Sequence, residues 1–243
     1  MKWVLILLVL ITACKKAEDR KCWKFHGDQI EKRVELESFK TLEINPYVIV
    51  NLVQDTINFC KLSGGENVVN LIKTDVSNGI LVLKNENKCS FLRSAKKKIT
   101  AEIHFVSMGN IIYQGSENVK TIGPITLQNF AVNLKETSGT LDLELNTINL
   151  SVTAEPSFAN FILKGYTKTA ILGVKGNAYC DTRDLLVQDK IVINSRSVGD
   201  CYINGSTAHL KCETNGSGNV YYTNTPGWIE WNDYATGKLL QAP

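Results

Sequence analysis

The sequence predicts an all-β protein, a right-handed parallel β-helix-like solenoid of about 20 residues per coil, and three observations carry that expectation. Apolar pairs return at this interval between Thr140 and Pro226: Leu141/Leu143, Phe161/Leu163, Cys180/Thr182, Cys201/Ile203 and Val220/Tyr222. A companion series runs half a coil out of phase: Phe130/Val132, Leu150/Val152, Leu172/Val174, Ile191/Ile193 and Leu210/Cys212. The members of each pair stand two apart, the period of a strand with one buried face, so two short strands per coil are expected. Between the pairs fall Gly165, Gly176, Gly199, Gly205, Gly216 and Gly218, with Asn177, Asn204 and Asn215. These residue types suit turns with positive φ. No stretch shows convincing amphipathic-helix spacing.

In chain order, residues 1–13 read as a lipoprotein signal peptide. Lys2 supplies one positive charge, and the apolar run from Trp3 to Ile11 is too short for the roughly 20 residues that a spanning helix needs. The run ends in Ile11-Thr12-Ala13-Cys14, which resembles a bacterial lipobox. That resemblance implies cleavage before Cys14 and lipidation of Cys14, hence a membrane partner through a lipid anchor; multiple acyl chains hold such a protein firmly. The competing reading is an ordinary secretory signal with an unmodified Cys14. Residues 14–31 form a short polar tether, and 32–226 the solenoid domain.

Within the solenoid, Val34, Leu36, Phe39, Leu42 and Ile44 precede Asn45-Pro46, and Val48, Val50 and Leu52 then alternate strictly. Thr56 to Leu62 reads as a returning strand. Asn78-Gly79 ahead of Ile80–Leu83 predicts a hairpin with a type I′ turn. Arg93 to Lys98 is a basic cluster best read as a solvated loop. Ile99 to Phe105 alternates again. Residues 227–243 form a C-terminal cap or tail carrying Trp228, Trp231 and Tyr234, which would either cover the open end of the last coil or stack on sugar rings.

The 27 basic and 24 acidic residues argue against nucleic-acid binding. Besides Cys14 the chain holds Cys22, Cys60, Cys89, Cys180, Cys201 and Cys212, an even set that suits disulfides in an exported protein, with fifteen pairings open. Cys180 and Cys201 occupy the same site in successive coils, about 4.8 Å apart, and are the first candidate disulfide. Stacked reduced thiols are the alternative. Cys60 with Cys89 is a second candidate pair.

Several motifs in order complete a resemblance: the lipobox, Gly65-Glu66-Asn67, Asn78-Gly79-Ile80-Leu81-Val82-Leu83, Gly109-Asn110-Ile111, the coils, and Asn215-Gly216-Ser217-Gly218-Asn219-Val220-Tyr221-Tyr222 before Pro226. From Val34 to Pro226 the chain resembles the putative auto-transporter adhesin family with the head GIN domain, common in Bacteroidetes. The resemblance implies a parallel β-helix-like fold, an envelope location and an adhesin role.

For chemistry, the acids Asp181, Asp184, Asp189 and Asp200 are the available carboxylates, with Asp181 and Asp200 expected on adjacent coils. No companion Arg or Lys is expected at the same coil site. His26, His104 and His209 are scattered without metal-ligand spacing, and no nucleophile motif such as G-x-S-x-G is present. No catalytic residue, metal or cofactor is therefore assigned. The expected function is a non-enzymatic envelope lipoprotein, lipid-anchored at the outer membrane on either its periplasmic or its exposed side, that binds a glycan, envelope or host surface component. The alternatives are a polysaccharide-degrading β-helix enzyme and a purely structural envelope protein. A groove of carboxylates with a basic residue would favour the enzyme, and a Ser/Thr/Asn face would favour binding.

Overall fold

The computed structural model describes residues 26–87 and 98–242. Cys14 with the signal peptide, Cys22, Cys89 and all of the basic cluster but Lys98 lie outside the described residues. The head of the fold comprises β1 (Gln29–Glu35), β2 (Thr41–Ile44), β3 (Ile49–Gln54), β4 (Phe59–Gly65), a single helical turn α1 (Glu66–Val69), β5 (Ile72–Ser77), β6 (Ile80–Asn85) and β7 (Thr100–Phe105). The coils follow with β8 (Asn110–Tyr113), β9 (Val119–Thr121), β10 (Ile125–Leu134), β11 (Thr140–Ser157), β12 (Asn160–Gly176), β13 (Tyr179–Thr182) and β14 (Leu185–Ser197). The last turns are β15 (Cys201–Asn204), β16 (His209–Thr214), β17 (Val220–Thr223), β18 (Trp228–Asp233) and β19 (Leu239–Gln241).

These strands stack in parallel into two long walls. The first runs β6, β2, β8, the second halves of β10, β11, β12 and β14, then β16 and β18. The second runs β7, β3, β9, the first residues of β11 and β12, then β13, β15, β17 and β19. Both predicted series of apolar pairs face the lumen; all their members are buried except Tyr222, which packs partly buried against the core. Burying each large aliphatic side chain contributes about 1.5–3 kcal/mol, so every coil depends on the pairs above and below it.

A third, shorter wall, not expected from the sequence, closes the central coils. Ile125, Leu145, Gly165 and Leu185 stand in one row, and Leu127, Thr147, Thr167 and Val187 in the next. Each central coil therefore has three sides where two strands were expected. Its interior is partly polar: the Thr147 hydroxyl donates to Thr167 Oγ1 at 2.8 Å and so is not left unsatisfied, while the Thr167 hydroxyl also reaches the Ile148 and Thr169 carbonyls. Thr147, Thr167 and Gly165 interrupt the apolar pattern of that wall, so the sequence carries no run of apolar pairs for it.

The head departs from sequential winding. The β2–β3 coil lies between the β6–β7 coil and the β8–β9 coil. The chain thus builds its second coil first, lays down the head, and then passes back to begin β8. Beyond β7, β4 and β1 add antiparallel, so β4 is separated from β3 by β7 and does not pair with it. β5 adds antiparallel to β6 through Asn78 (φ 51°) and Gly79 (φ 72°), the predicted type I′ hairpin. Val68 and Val69 of α1 are buried over this end of the core. The outer strands carry Glu31, Lys32, Arg33 and Glu35 on β1 and Lys73 and Asp75 on β5, charges that discourage edge-to-edge pairing.

The glycines serve two different needs. Gly165 (φ 99°) and Gly176 (φ 76°) take the expected positive φ, but Gly199, Gly205, Gly216 and Gly218 do not. At Gly216 an added Cβ would lie 2.2 Å from the Ser197 carbonyl oxygen of the coil before, so close stacking of the corners is what demands glycine there.

Candidate functional site on the outer walls

The aromatic trio of the C-terminal segment separates. Trp228 points outward from the first wall, 67% exposed, with one ring face against His209 at 5.6 Å. Trp231 takes a lumen-side position opposite Cys212, and its indole N–H donates to Thr214 Oγ1 at 3.2 Å. It covers the last coil while staying 40% exposed. Tyr234 follows β18 and is 67% exposed, its backbone N–H donating to the Thr214 carbonyl. One tryptophan thus faces outward and the other caps, an assignment that spacing along the chain could not make.

Cys180 and Cys201 sit opposite each other in register, fully buried, and both thiols are free. Burial and the neighbouring Cys201 push the Cys180 thiol well up. Burial likewise pushes Cys212 and Cys60 up to about 12. Such thiols are poor nucleophiles.

Asp181, Asp189 and Asp200 are each held by a separate partner, while Asp184 lies within electrostatic range of Arg183 and Lys164. Asp181 accepts two hydrogen bonds from the Arg183 guanidinium, at 2.9 and 2.6 Å, and this fork holds its carboxyl below the usual range. Arg183 is a companion base after all, two residues along the same coil and not at the matching site of a neighbouring one. It also stands 5.1 Å from the Tyr202 ring, within the row Tyr179, Tyr202 and Tyr221. Asp189 meets Lys168 at 3.6 Å, and Asp200 accepts from the Asn219 backbone N–H at 2.8 Å.

His104 is less isolated than its place in the sequence indicates. Its Nδ1 lies 2.8 Å from Asp55 and its Nε2 3.0 Å from Glu102, which also meets Lys61 at 3.1 Å. The imidazole stacks on Phe59 at 3.9 Å, and the Arg33 guanidinium lies 3.6 Å from that ring. The Thr56 backbone N–H and then His104 hold the Asp55 carboxyl below its usual value; His104 and then Lys61 do so for Glu102. The two ring nitrogens face separate carboxylates, so the cluster ties β1, β4 and β7 together and is not arranged around one ion. No cluster of three or more potential metal ligands occurs among the described residues.

The most regular surface is the outer side of the first wall. Asn129, Asn149, Thr169, Lys190, His209 and Trp228 follow one another in register, one per coil. The Asn149 amide donates to Asn129 at 2.7 Å, and the Thr169 hydroxyl donates to Asn149 at 2.8 Å. Beside this row runs Ala131, Ser151, Ile171, Val192, Lys211 and Glu230, and then Asn133, Thr153, Gly173, Asn194, Glu213 and Asn232. At its head-proximal end the first row opens into a shallow groove whose lining joins Lys40, Gln54, Ser107 and Asn129 with the apolar Val106 and Leu127.

This geometry has known relatives. A family model for the putative auto-transporter adhesin, head GIN domain, matches residues 38–226. The chain belongs to this family. No curated protein matches the sequence. The head GIN fold recurs in the crystal structure of a putative adhesin from Bacteroides fragilis, with a TM-score of 0.78 at 19% identity over 88% of this chain and 97% of that one. A putative lipid binding protein from Parabacteroides distasonis gives 0.63 at 15% identity, covering 89% and 98%. A putative adhesin from Parabacteroides merdae gives 0.60 at 16% identity, covering 89% and 97%. At such identities the likeness is one of fold.

Proposed function

We propose that this head GIN domain is a non-enzymatic, lipid-anchored component of the cell envelope that uses its long outer wall to bind an extended surface component, foremost a glycan. The observation that carries the reading is the in-register Asn/Thr/Ser surface of the first wall. A flat wall that repeats similar contacts every ~4.8 Å suits a polymer lying along it better than a small molecule. The acids Asp181, Asp189 and Asp200 are each engaged by a different partner, which weighs against shared acid–base work. The lipobox at Cys14 supports the anchor, and no helix among the described residues is long and apolar enough to cross a membrane.

The test has two arms. Protease treatment of intact cells should shave the protein from the surface, and the Cys14→Ala protein should bind discrete spots on a glycan and matrix array. Resistance to shaving together with a blank array would overturn the adhesin reading.

A further inference from the structure

We propose that the row from Asn129 to Trp228 is a track for an acidic glycan, a sugar chain bearing carboxylate or sulfate groups. This rests on the reading of the first wall as a polymer-binding surface and names both the line of contact and the chemistry of the ligand. Six successive side chains, Asn129, Asn149, Thr169, Lys190, His209 and Trp228, stand one per coil over roughly 24 Å, five strand spacings. The step from coil to coil is close to the rise of one sugar unit in an extended chain, so each coil can meet the next ring in the same way.

The row contains no carboxylate. Among the described residues neither Lys190 nor Lys40 is in an ion pair; Lys40 Nζ lies 3.4 Å from Ser107 Oγ. The nearby acids are already engaged, Asp189 by Lys168 and Glu230 by Lys211 and His209. Lys190 lies within electrostatic range of Glu230 without forming an ion pair with it, so no described carboxylate holds either ammonium group directly. The amides and hydroxyl of Asn129, Asn149 and Thr169 offer donors and acceptors that match sugar hydroxyls. Exposed Ile171, 56% accessible in the adjoining row beside half-buried Val192, supplies a small apolar patch for ring C–H faces.

Trp228 ends the track. One face of its indole rests on His209 and the residue is 67% exposed, so the other face is open for a sugar ring to stack on. Cations this sparse, separated by several coils, fit a chain charged at intervals; the dense phosphates of nucleic acid would call for a continuous basic stripe.

The experiment uses the full chain in mild detergent, with polygalacturonate as the acidic probe, dextran as the neutral one and polyglutamate as the non-sugar polyanion, followed by affinity electrophoresis and calorimetry. Polygalacturonate should bind most tightly, and more weakly as salt is raised. Lys190→Ala should weaken it about threefold, the size of a solvent-screened ion pair, and Trp228→Ala about fivefold through lost stacking. Lys190→Arg should retain binding, and Lys120→Ala on the second wall should leave it unchanged, with thermal melting confirming that each variant folds. If polygalacturonate binds but Lys190→Ala and Trp228→Ala match the parent, the track is wrong while the wall reading survives on another line. Dextran binding as tightly as polygalacturonate would overturn the acidic assignment alone, and polyglutamate binding equally would reduce the site to charge. Failure of every glycan here and on the array would overturn both proposals.

Discussion

Gly165 shows how one residue holds a coil in place. Its φ of 99° lies where side chains are strained, and an added Cβ would stand 2.3 Å from the Leu145 carbonyl oxygen of the neighbouring coil. Gly165→Ala should therefore destabilise the protein by about 2–4 kcal/mol, combining backbone strain with overpacking; urea unfolding checks it, and an unchanged midpoint would refute the stacking argument. The His104 cluster makes a second prediction. Asp55 and Glu102 hold protons less readily in the folded chain than in the unfolded one. Their contribution is thus complete above the unfolded carboxylate values of about 4 and is lost as pH falls through the lower folded values. The parent should lose urea resistance between neutral and acid pH more steeply than His104→Gln, and parallel curves would remove the cluster from the account.

At the scale of the element, the third wall depends on the buried Thr147–Thr167 hydrogen bond. Thr147→Val alone leaves the Thr167 hydroxyl to its remaining backbone acceptors and should cost about 1–2 kcal/mol. Adding Thr167→Val should cost less than a second such increment, because the double variant removes both polar groups. A double-mutant cycle reads the coupling directly, and strict additivity would show that the pair contributes nothing jointly. The strands of the two long walls were legible because their alternation is clean: Leu150/Val152 and Leu172/Val174 repeat one pattern at one interval. Gly165 breaks the third wall's apolar pattern, so no periodic signal marked it. The outward partners were legible as residue types, but their alignment into rows depended on register.

For the whole molecule, the two ends differ. The head end is closed by α1 and by charged antiparallel edges, whereas in β18 and β19, the last described strands, Ile229, Trp231 and Leu240 are each partly exposed. Amide hydrogen exchange should accordingly be slowest in β11 and β12, paired on both sides, and fastest in β19; uniform protection would indicate a single cooperative unit. From the sequence alone came the class, the coil length, the identity of the lumen-facing pairs, the Asn78-Gly79 hairpin and the family resemblance. All of these are written in local periodicity or short motifs, which need no knowledge of distant partners. Only the tertiary structure decided the insertion of the β2–β3 coil between later ones, the closure of each central coil on three sides, the gathering of Asp55, Glu102 and His104, and the opposite fates of Trp228 and Trp231. Those outcomes rest on which strand lies beside which, and pairing between residues dozens of positions apart is set by how whole coils fill one shared core.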